Sequence, residues 1–317
     1  MKRVLVTGAS SPIGASALKY LHALDFDIHC LGRTPSCAGG ATFHQLDLLR
    51  EDPSPLLEKI LPSHLLHLAW HCDRDTIWNS RCNLDWIEAS LTLLSGFQRA
   101  GGVRAVCAGS AAEYDWTAPI LDDAAGVLHP ATVYGYAKLT TWRLLAETPM
   151  EPVSLGWARI FFSFGPKDAE DRLLAQVIDS LVAGRSVSCT AGSQVRPFIY
   201  VEDVAAALAS FLDSPVQGPV NIALDEVCSV RELALMAARI VGGTSKIVFG
   251  ARDVQAGEPQ QLRASTRRLR DEVGFVPRHS IEEGVRSTVS LRIGAALGYR
   301  YPSFKPSPIT LLAARRS

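Results

Sequence analysis

Short apolar runs alternate with amphipathic stretches along the first half of the chain. Val4-Leu5-Val6 centres a strand over 3–7, and 13–24 reads as a helix with Ala17, Leu18 and Leu21 on one face. Further strands are predicted at 27–31, 42–46, 65–69 and 104–109, with a long amphipathic helix at 84–100 closed by Gly101-Gly102. The second half continues with strands at 153–162, 197–200, 219–223 and 246–249, and helices at 173–183, 204–212 and 230–241. Strands alternating with helices imply an α/β fold built on a doubly wound parallel sheet. From Tyr301 onward three prolines precede an Ala-Ala-Arg-Arg-Ser end, which reads as a loosely packed tail over 301–317.

The chain has 317 residues, more than one core needs and suited to a large domain with a smaller lobe. Lys+Arg and Asp+Glu balance at 32 each, so neither nucleic acid nor an anionic membrane is an expected partner. Met1-Lys2-Arg3 leads straight into the first strand, and no apolar stretch is long enough to span a bilayer. The seven cysteines are odd in number and lack metal-ligand spacing. Reduced thiols in a cytoplasmic enzyme, and no metal site, are expected. Cys107 ends an apolar run and reads as a buried small residue rather than a nucleophile.

Chemistry enters at TGASSPIG, Thr7 to Gly14. A strand, a tight glycine turn and a helix start together suit a pyrophosphate, because free backbone N–H groups and the helix N-terminus attract anions. Gly8 supplies the turn and Gly14 allows close helix packing. Ser11 stands where a further glycine is usual, and its hydroxyl could donate to a phosphate oxygen. An ordinary strand–helix turn is the alternative. The second strand ends Gly32-Arg33-Thr34, without the carboxylate that would hold a ribose 2′-OH. Arg33 stands where a 2′-phosphate would sit, which favours NADP(H), with NAD(H) as the alternative. A solvated loop cation is the other reading of Arg33.

Tyr134 and Lys138 are four residues apart in PATVYGYAK, on one face of a helix. A neighbouring ammonium lowers a phenol's pKa, which equips the tyrosine to exchange a proton with an alcohol or carbonyl. Ser110 lies at the carboxyl end of the fifth strand, where open parallel sheets bind ligands.

Taken together, these pieces resemble an extended short-chain dehydrogenase/reductase of the NAD(P)-dependent epimerase/dehydratase family, which acts mainly on nucleotide sugars. The resemblance rests on TGASSPIG, Asp47-Leu48, HLAW (67–70), Ser110, Tyr134/Lys138, RPFIYVEDV (196–204) and LRDEVGFVP (269–277). It implies a Rossmann-type domain over 1–164 and 196–224, and a discontinuous substrate lobe over 165–195 and 225–300. It makes Tyr134 the general acid/base, Lys138 the holder of the nicotinamide ribose, and Ser110 the group that polarises the sugar oxygen. Gly8, Ser10, Ser11, Pro12 and Ile13 would cradle the cofactor phosphates, Asp47 and Leu48 would face the adenine, and Leu68 and Ala69 would line the cofactor's centre. Arg196 and Arg252 would contact a substrate diphosphate, with surface ion pairs as the alternative. A homodimer through the helices at 84–100 and 134–147 is common in similar proteins.

The departures narrow the reaction. Sugar dehydratases of this family carry an acid pair where this chain has Ala111 and Ala112, and methyl groups do no acid/base work. Ala112 also removes the cysteine of 3,5-epimerase/reductases. Glu113, one position on, is expected to point to the other side of an extended chain. Phe162 replaces an asparagine that often reaches the substrate. Trp70, Trp78, Trp86 and Trp116 could form a stacking wall, Trp70 lining the pocket and Trp86 serving as packing. His71 could donate a proton or simply be hydrogen-bonded. Asn83 could support the site, with a polar helix face as the preferred reading. The expected activity is NADPH-dependent reduction of a keto sugar, with a nucleotide-linked 4-keto sugar as substrate. A nucleotide-sugar 4-epimerase holding NAD and a non-catalytic NADP-binding protein are the alternatives.

Overall fold

The computed structural model describes residues 2–35, 40–71, 76–254 and 258–296. Seven parallel strands make the main sheet: β1 (Arg3–Thr7), β2 (Asp27–Gly32), β3 (Thr42–Gln45), β4 (His64–His67), β5 (Arg104–Ser110), β6 (Ser154–Ile160) and a last strand, Gly218–Ile222. Their spatial order is β3-β2-β1-β4-β5-β6 followed by Gly218–Ile222. The direction of winding reverses between β1 and β4, where Thr7 pairs with His67. In an open parallel sheet the crevice at such a reversal is the place for a ligand.

Helices cover both faces, as parallel crossovers require. The first ones are α1 (Pro12–Ala23), α2 (Ser54–Ile60), α3 (Cys82–Arg99) and α4 (Val133–Glu147). After β6 come α5 (Leu173–Val182), α6 (Val201–Asp213) and α7 (Val230–Val241). The period of two in β1 assigns the faces. Val4 and Val6 join Ala17, Leu18 and Leu21 of α1 and Val204, Leu208 and Phe211 of α6. Leu5 joins Leu57 of α2 and Leu93, Leu94 and Phe97 of α3. These side chains are almost wholly buried, and each of the valines, leucines and phenylalanines contributes about 1.5–3 kcal/mol of transfer free energy.

Two strand boundaries differ from the sequence reading for physical reasons. The strand at 65–69 stops at His67, because β1 ends at Thr7: the Leu68 N–H bonds the Thr7 carbonyl, and the Ala69 N–H turns to the Thr7 hydroxyl instead of to a further backbone carbonyl. The strand at 153–162 breaks at Phe161, whose N–H bonds Ile222. Phe162–Phe164 then pairs in parallel with Phe198–Tyr200, away from the main sheet. The helices Ser54–Ile60 and Ile281–Ala296 were not foreseen. The first is short, and the second has glycines and arginines interrupting its apolar stripe. The tail at 301–317 lies outside the described residues. No helix among the described residues is long and apolar enough to cross a membrane.

Candidate active site

The glycine turn leaves β1 at the reversal point. Gly8 has φ +72°, and a Cβ there would lie 2.7 Å from the Ala69 amide nitrogen. Only glycine lets the turn close against the end of β4. A Cβ on Gly14 would collide with the Gly8 carbonyl oxygen, so the first turn of α1 folds directly onto the loop. Ser11 resolves the question of the absent glycine. Its φ is −69°, a conformation open to any residue, and it serves as the N-cap of α1. Its hydroxyl accepts from the Gly14 N–H at 3.0 Å and donates to the Gly8 carbonyl at 2.8 Å. That corrects the expectation of a hydroxyl donated to phosphate, since the proton is already committed to the loop. Pro12 occupies the first helical position, where no N–H is needed, and Ser10 is exposed.

A buried relay, not foreseen from sequence, fixes the floor of this crevice. The Ala69 N–H donates to Thr7 Oγ1 at 3.2 Å, and Thr7 Oγ1 lies 2.7 Å from His67 Nδ1. His67 Nε2 lies 2.9 Å from Ser90 Oγ, which donates to the Trp86 carbonyl. Because Ser90 gives its proton to Trp86, it accepts from His67 Nε2–H, and Nδ1 accepts from Thr7. Burial, helped by the charge of Lys138, pushes the His67 pKa down to about 3. It is a neutral spacer that pins Ala69 in place.

Arg33 follows β2 and is exposed, with Gly32, Thr34 and Pro35 around it and no carboxylate among them. Asp47 caps its own turn, accepting from the Leu49 N–H at 3.1 Å. The Leu48 side chain is buried with Leu46 and Leu57, so it can offer an adenine only its backbone.

Ser110 closes β5 and caps a single 3₁₀ turn, Ala111–Glu113. That turn overturns the expectation for Glu113, because the chain there is not extended. Glu113 folds back beneath Ser110, and its carboxylate accepts from the Ser110 N–H at 2.7 Å. It also accepts from Trp157 Nε1 at 2.9 Å and from Arg159 Nε at 2.8 Å. Glu113 is 0% exposed and Arg159 1%. Arg159 continues to the Tyr114 hydroxyl, which donates to Asn221 of the last strand at 2.7 Å. A buried ion pair therefore holds the backbone of the strand-five serine.

The start of α4 packs on that same turn. A Cβ on Gly135 would collide with the Ala112 carbonyl oxygen, so the glycine after Tyr134 brings the helix to the residues that follow Ser110. Thr132 caps α4 through the Gly135 N–H, and the Tyr134 N–H donates to the Trp78 carbonyl at 3.0 Å. The Tyr134 ring meets Trp78 edge-on at 5.8 Å and Trp70 at 6.5 Å. Lys138, one turn on, is 3% exposed and donates to the Ala108 carbonyl at 2.8 Å.

Asn83 is not on a polar helix face. It is 0% exposed, accepts from Trp70 Nε1 at 2.9 Å and donates to the carbonyls of Ile77 and Ser80. Trp86 stacks on Trp70 and packs against the core. His71 is hydrogen-bonded to Thr76 at 2.8 Å. Cys107 is buried, with its thiol pushed up to about 12 by desolvation, and so is inert.

The two arginines differ. Arg196 is 3% exposed. It pairs with Glu258 at 2.9 Å, donates to the carbonyls of Pro259 and Val195, and lies over the Phe162 ring. It is neither a surface ion pair nor an open phosphate donor in this arrangement. Arg252 is exposed, with one long contact to Gln176 at 3.5 Å.

These features have known counterparts. A model of the NAD dependent epimerase/dehydratase family matches residues 4–223. The UDP-glucose 4-epimerase of Azospirillum brasilense is 26% identical, with 91% of each chain covered. The GDP-6-deoxy-D-mannose reductase of Pseudomonas aeruginosa is also 26% identical, over 91% of this chain and 96% of its own. MoeE5, solved in complex with UDP-glucose and NAD, superposes with a TM-score of 0.81 at 25% identity, covering 93% of this chain and 99% of that one. With its seven-stranded parallel sheet, glycine turn and Tyr134/Lys138 helix, the chain belongs to the NAD-dependent epimerase/dehydratase family of nucleotide-sugar-modifying short-chain enzymes, and it is an enzyme of the oxidoreductase type.

Proposed function

We propose that the protein reduces a keto sugar, with a nucleotide-linked 4-keto sugar as substrate and NADPH as hydride donor. The observation that supports hydride-transfer chemistry is the packing of Gly135 onto Ala112, with Lys138 donating to the Ala108 carbonyl, which sets the start of α4 against the end of β5. The glycine turn fits a dinucleotide, since Gly8 and Gly14 let the loop pack against the end of β4 and the first turn of α1, which leaves the helix N-terminus facing the place of the phosphates. Gly8, Ser10, Ser11, Pro12 and Ile13 would hold its phosphates, Arg33 a 2′-phosphate, Asp47 and the Leu48 backbone the adenine side, and Leu68 and Ala69 the centre. When bound, the cofactor supplies the hydride.

The chain's own residues do the rest. Tyr134 gives a proton to the carbonyl oxygen, Lys138 keeps a positive charge near the phenol, and Ser110 donates a hydrogen bond to the same oxygen. Ala111 and Ala112 offer no acid for elimination, so the reaction stops at a single carbon. The substrate lobe is proposed as 165–195 and 225–300, because 196–224 contributes α6 and the last strand to the main domain. A substrate diphosphate would meet Arg252 of that lobe directly, and would reach Arg196, at the start of 196–224, by displacing Glu258.

The exposed Arg33 and the lack of an acid after β2 favour a net reductase. So does the similarity to GDP-6-deoxy-D-mannose reductase over nearly the whole of both chains. The matching coverage of UDP-glucose 4-epimerase favours the second reading, oxidation and re-reduction at C4 with retained NAD. The test is a panel of UDP-, GDP- and dTDP-linked 4-keto sugars with NADPH, followed at 340 nm. Reduction by wild type and its loss in Tyr134→Phe support the reductase. Interconversion of C4 epimers without net cofactor consumption replaces it with the epimerase.

A further inference from the structure

Lys138 is held by more than its own helix. Its ammonium nitrogen lies 3.5 Å from the centroid of the Trp70 ring, while it donates to the Ala108 carbonyl from the sheet side. A cation this close to an indole face meets the negative potential of the ring, and in a buried site that attraction is at its strongest. The indole is itself fixed. Asn83 accepts its Nε1–H at 2.9 Å, and Trp86 stacks on it with ring centroids 5.9 Å apart. Asn83 uses its amide donors on Ile77 and Ser80, on either side of the residue whose carbonyl holds the Tyr134 N–H. One buried side chain thus ties together the clamp on Lys138 and the segment that caps Tyr134. The groups that face the ammonium from the sheet are His67 on β4 and Cys107 on β5. Burial keeps both uncharged at neutral pH, the first with a pKa of about 3 and the second of about 12. On α4 itself the facing group is Tyr134, whose ring centroid lies 6.0 Å from the ammonium.

We infer that Trp70, clamped by Asn83, is a positioning residue that holds the charged Lys138 beside Tyr134 and thereby maintains the acidity of the phenol. The inference rests on the reading of Tyr134 and Lys138 as the proton-transfer pair. It gives the tryptophan after His67-Leu68-Ala69 a task that differs from stacking on a substrate. Loss of the indole face frees the ammonium to move, and the phenolate of Tyr134 loses its partner.

The experiment needs no substrate. The phenolate absorbance of Tyr134 is read as the difference between ultraviolet pH titrations of a protein and its Tyr134→Phe derivative. Trp70→Leu is expected to raise the Tyr134 midpoint by about one pH unit, a ten-fold change in its ionisation. Trp70→Phe, which keeps a weaker aromatic face, gives a smaller shift in the same direction and serves as the measurement if Trp70→Leu does not fold. In a Lys138→Met background the same substitutions leave the midpoint where Lys138→Met alone puts it. An unchanged midpoint with Lys138 present, or an equal shift with and without Lys138, overturns the inference. Titration of NADPH into the same proteins separates the two readings. If wild type binds no nicotinamide cofactor, the proposed function fails while the coupling of Trp70 to Tyr134 is still decided by the absorbance.

Discussion

The Glu113–Arg159 pair offers the sharpest structural prediction. Both side chains are buried, and the carboxylate serves three donors: the Ser110 N–H, Trp157 Nε1 and Arg159 Nε. Glu113→Gln keeps the shape and two of the acceptor contacts, but sets an amide donor against the guanidinium, which then lacks its counter-charge. Breaking a buried pair from one side costs about 3–5 kcal/mol, a large share of the roughly 5–15 kcal/mol that holds a domain folded. Arg159→Met strands the carboxylate and is expected to cost a similar amount. In Glu113→Gln/Arg159→Met neither charge is left alone, so the double variant should be about 2–3 kcal/mol more stable than the sum of the single losses. Urea unfolding at neutral pH, followed by circular dichroism and by tryptophan fluorescence, measures the cycle. Additive losses, or single losses below about 1 kcal/mol, would refute the reasoning that a buried charge pair anchors Ser110.

Two further outcomes follow from the site. Ser11→Ala removes the cap of α1 and is expected to cost about 1 kcal/mol in thermal or urea unfolding, whereas Ser11→Gly costs only a few tenths; equal losses would contradict the capping role. His67 binds its proton in the folded state only near pH 3, against about 6.5 when unfolded, so the unfolded chain takes up the proton first. Its contribution is complete above pH 6.5 and shrinks by about 1.4 kcal/mol for each unit below it. The stability advantage of wild type over His67→Asn should therefore narrow as pH falls from 6.5 toward 3, and parallel stability curves would exclude the buried neutral histidine.

The alternation of apolar runs and helical stripes made the main sheet legible, because β1, β4 and most of β5 are buried runs and β2 carries buried Ile28, Cys30 and Leu31. The glycine turn, the Tyr134/Lys138 spacing and Ser110 at a strand end were legible for the same reason: each is a local pattern of residue types. What was hidden depends on contacts across the chain. Glu113 read as a residue on the wrong side of a strand, although Ser-Ala-Ala-Glu has the spacing of a capping box, in which the glutamate turns back to the N–H of the capping serine. Its partner Arg159 lies 46 positions away. Asn83 read as surface because its partner Trp70 is in a different element. Arg196 read as a phosphate contact or a surface ion pair, and nothing in RPFIYVEDV announces that it is buried beside Glu258, 62 positions later. The HLAW segment suggested a cofactor wall, but the Thr7–His67–Ser90 relay needs three elements to be adjacent before it exists.

The central claim is a net reductase that takes its hydride from NADPH, with Arg33 as the residue that recognises the 2′-phosphate. Binding titrations of NADPH and NADH to wild type and Arg33→Ala test it most directly. The account predicts that NADPH binds wild type at least about ten-fold more tightly than NADH, since charge-assisted bonds to one phosphate contribute about 1.5–3 kcal/mol. Arg33→Ala should erase that preference without weakening NADH. Equal affinities in wild type, or NAD that arrives already bound, would contradict it and leave the 4-epimerase as the better reading.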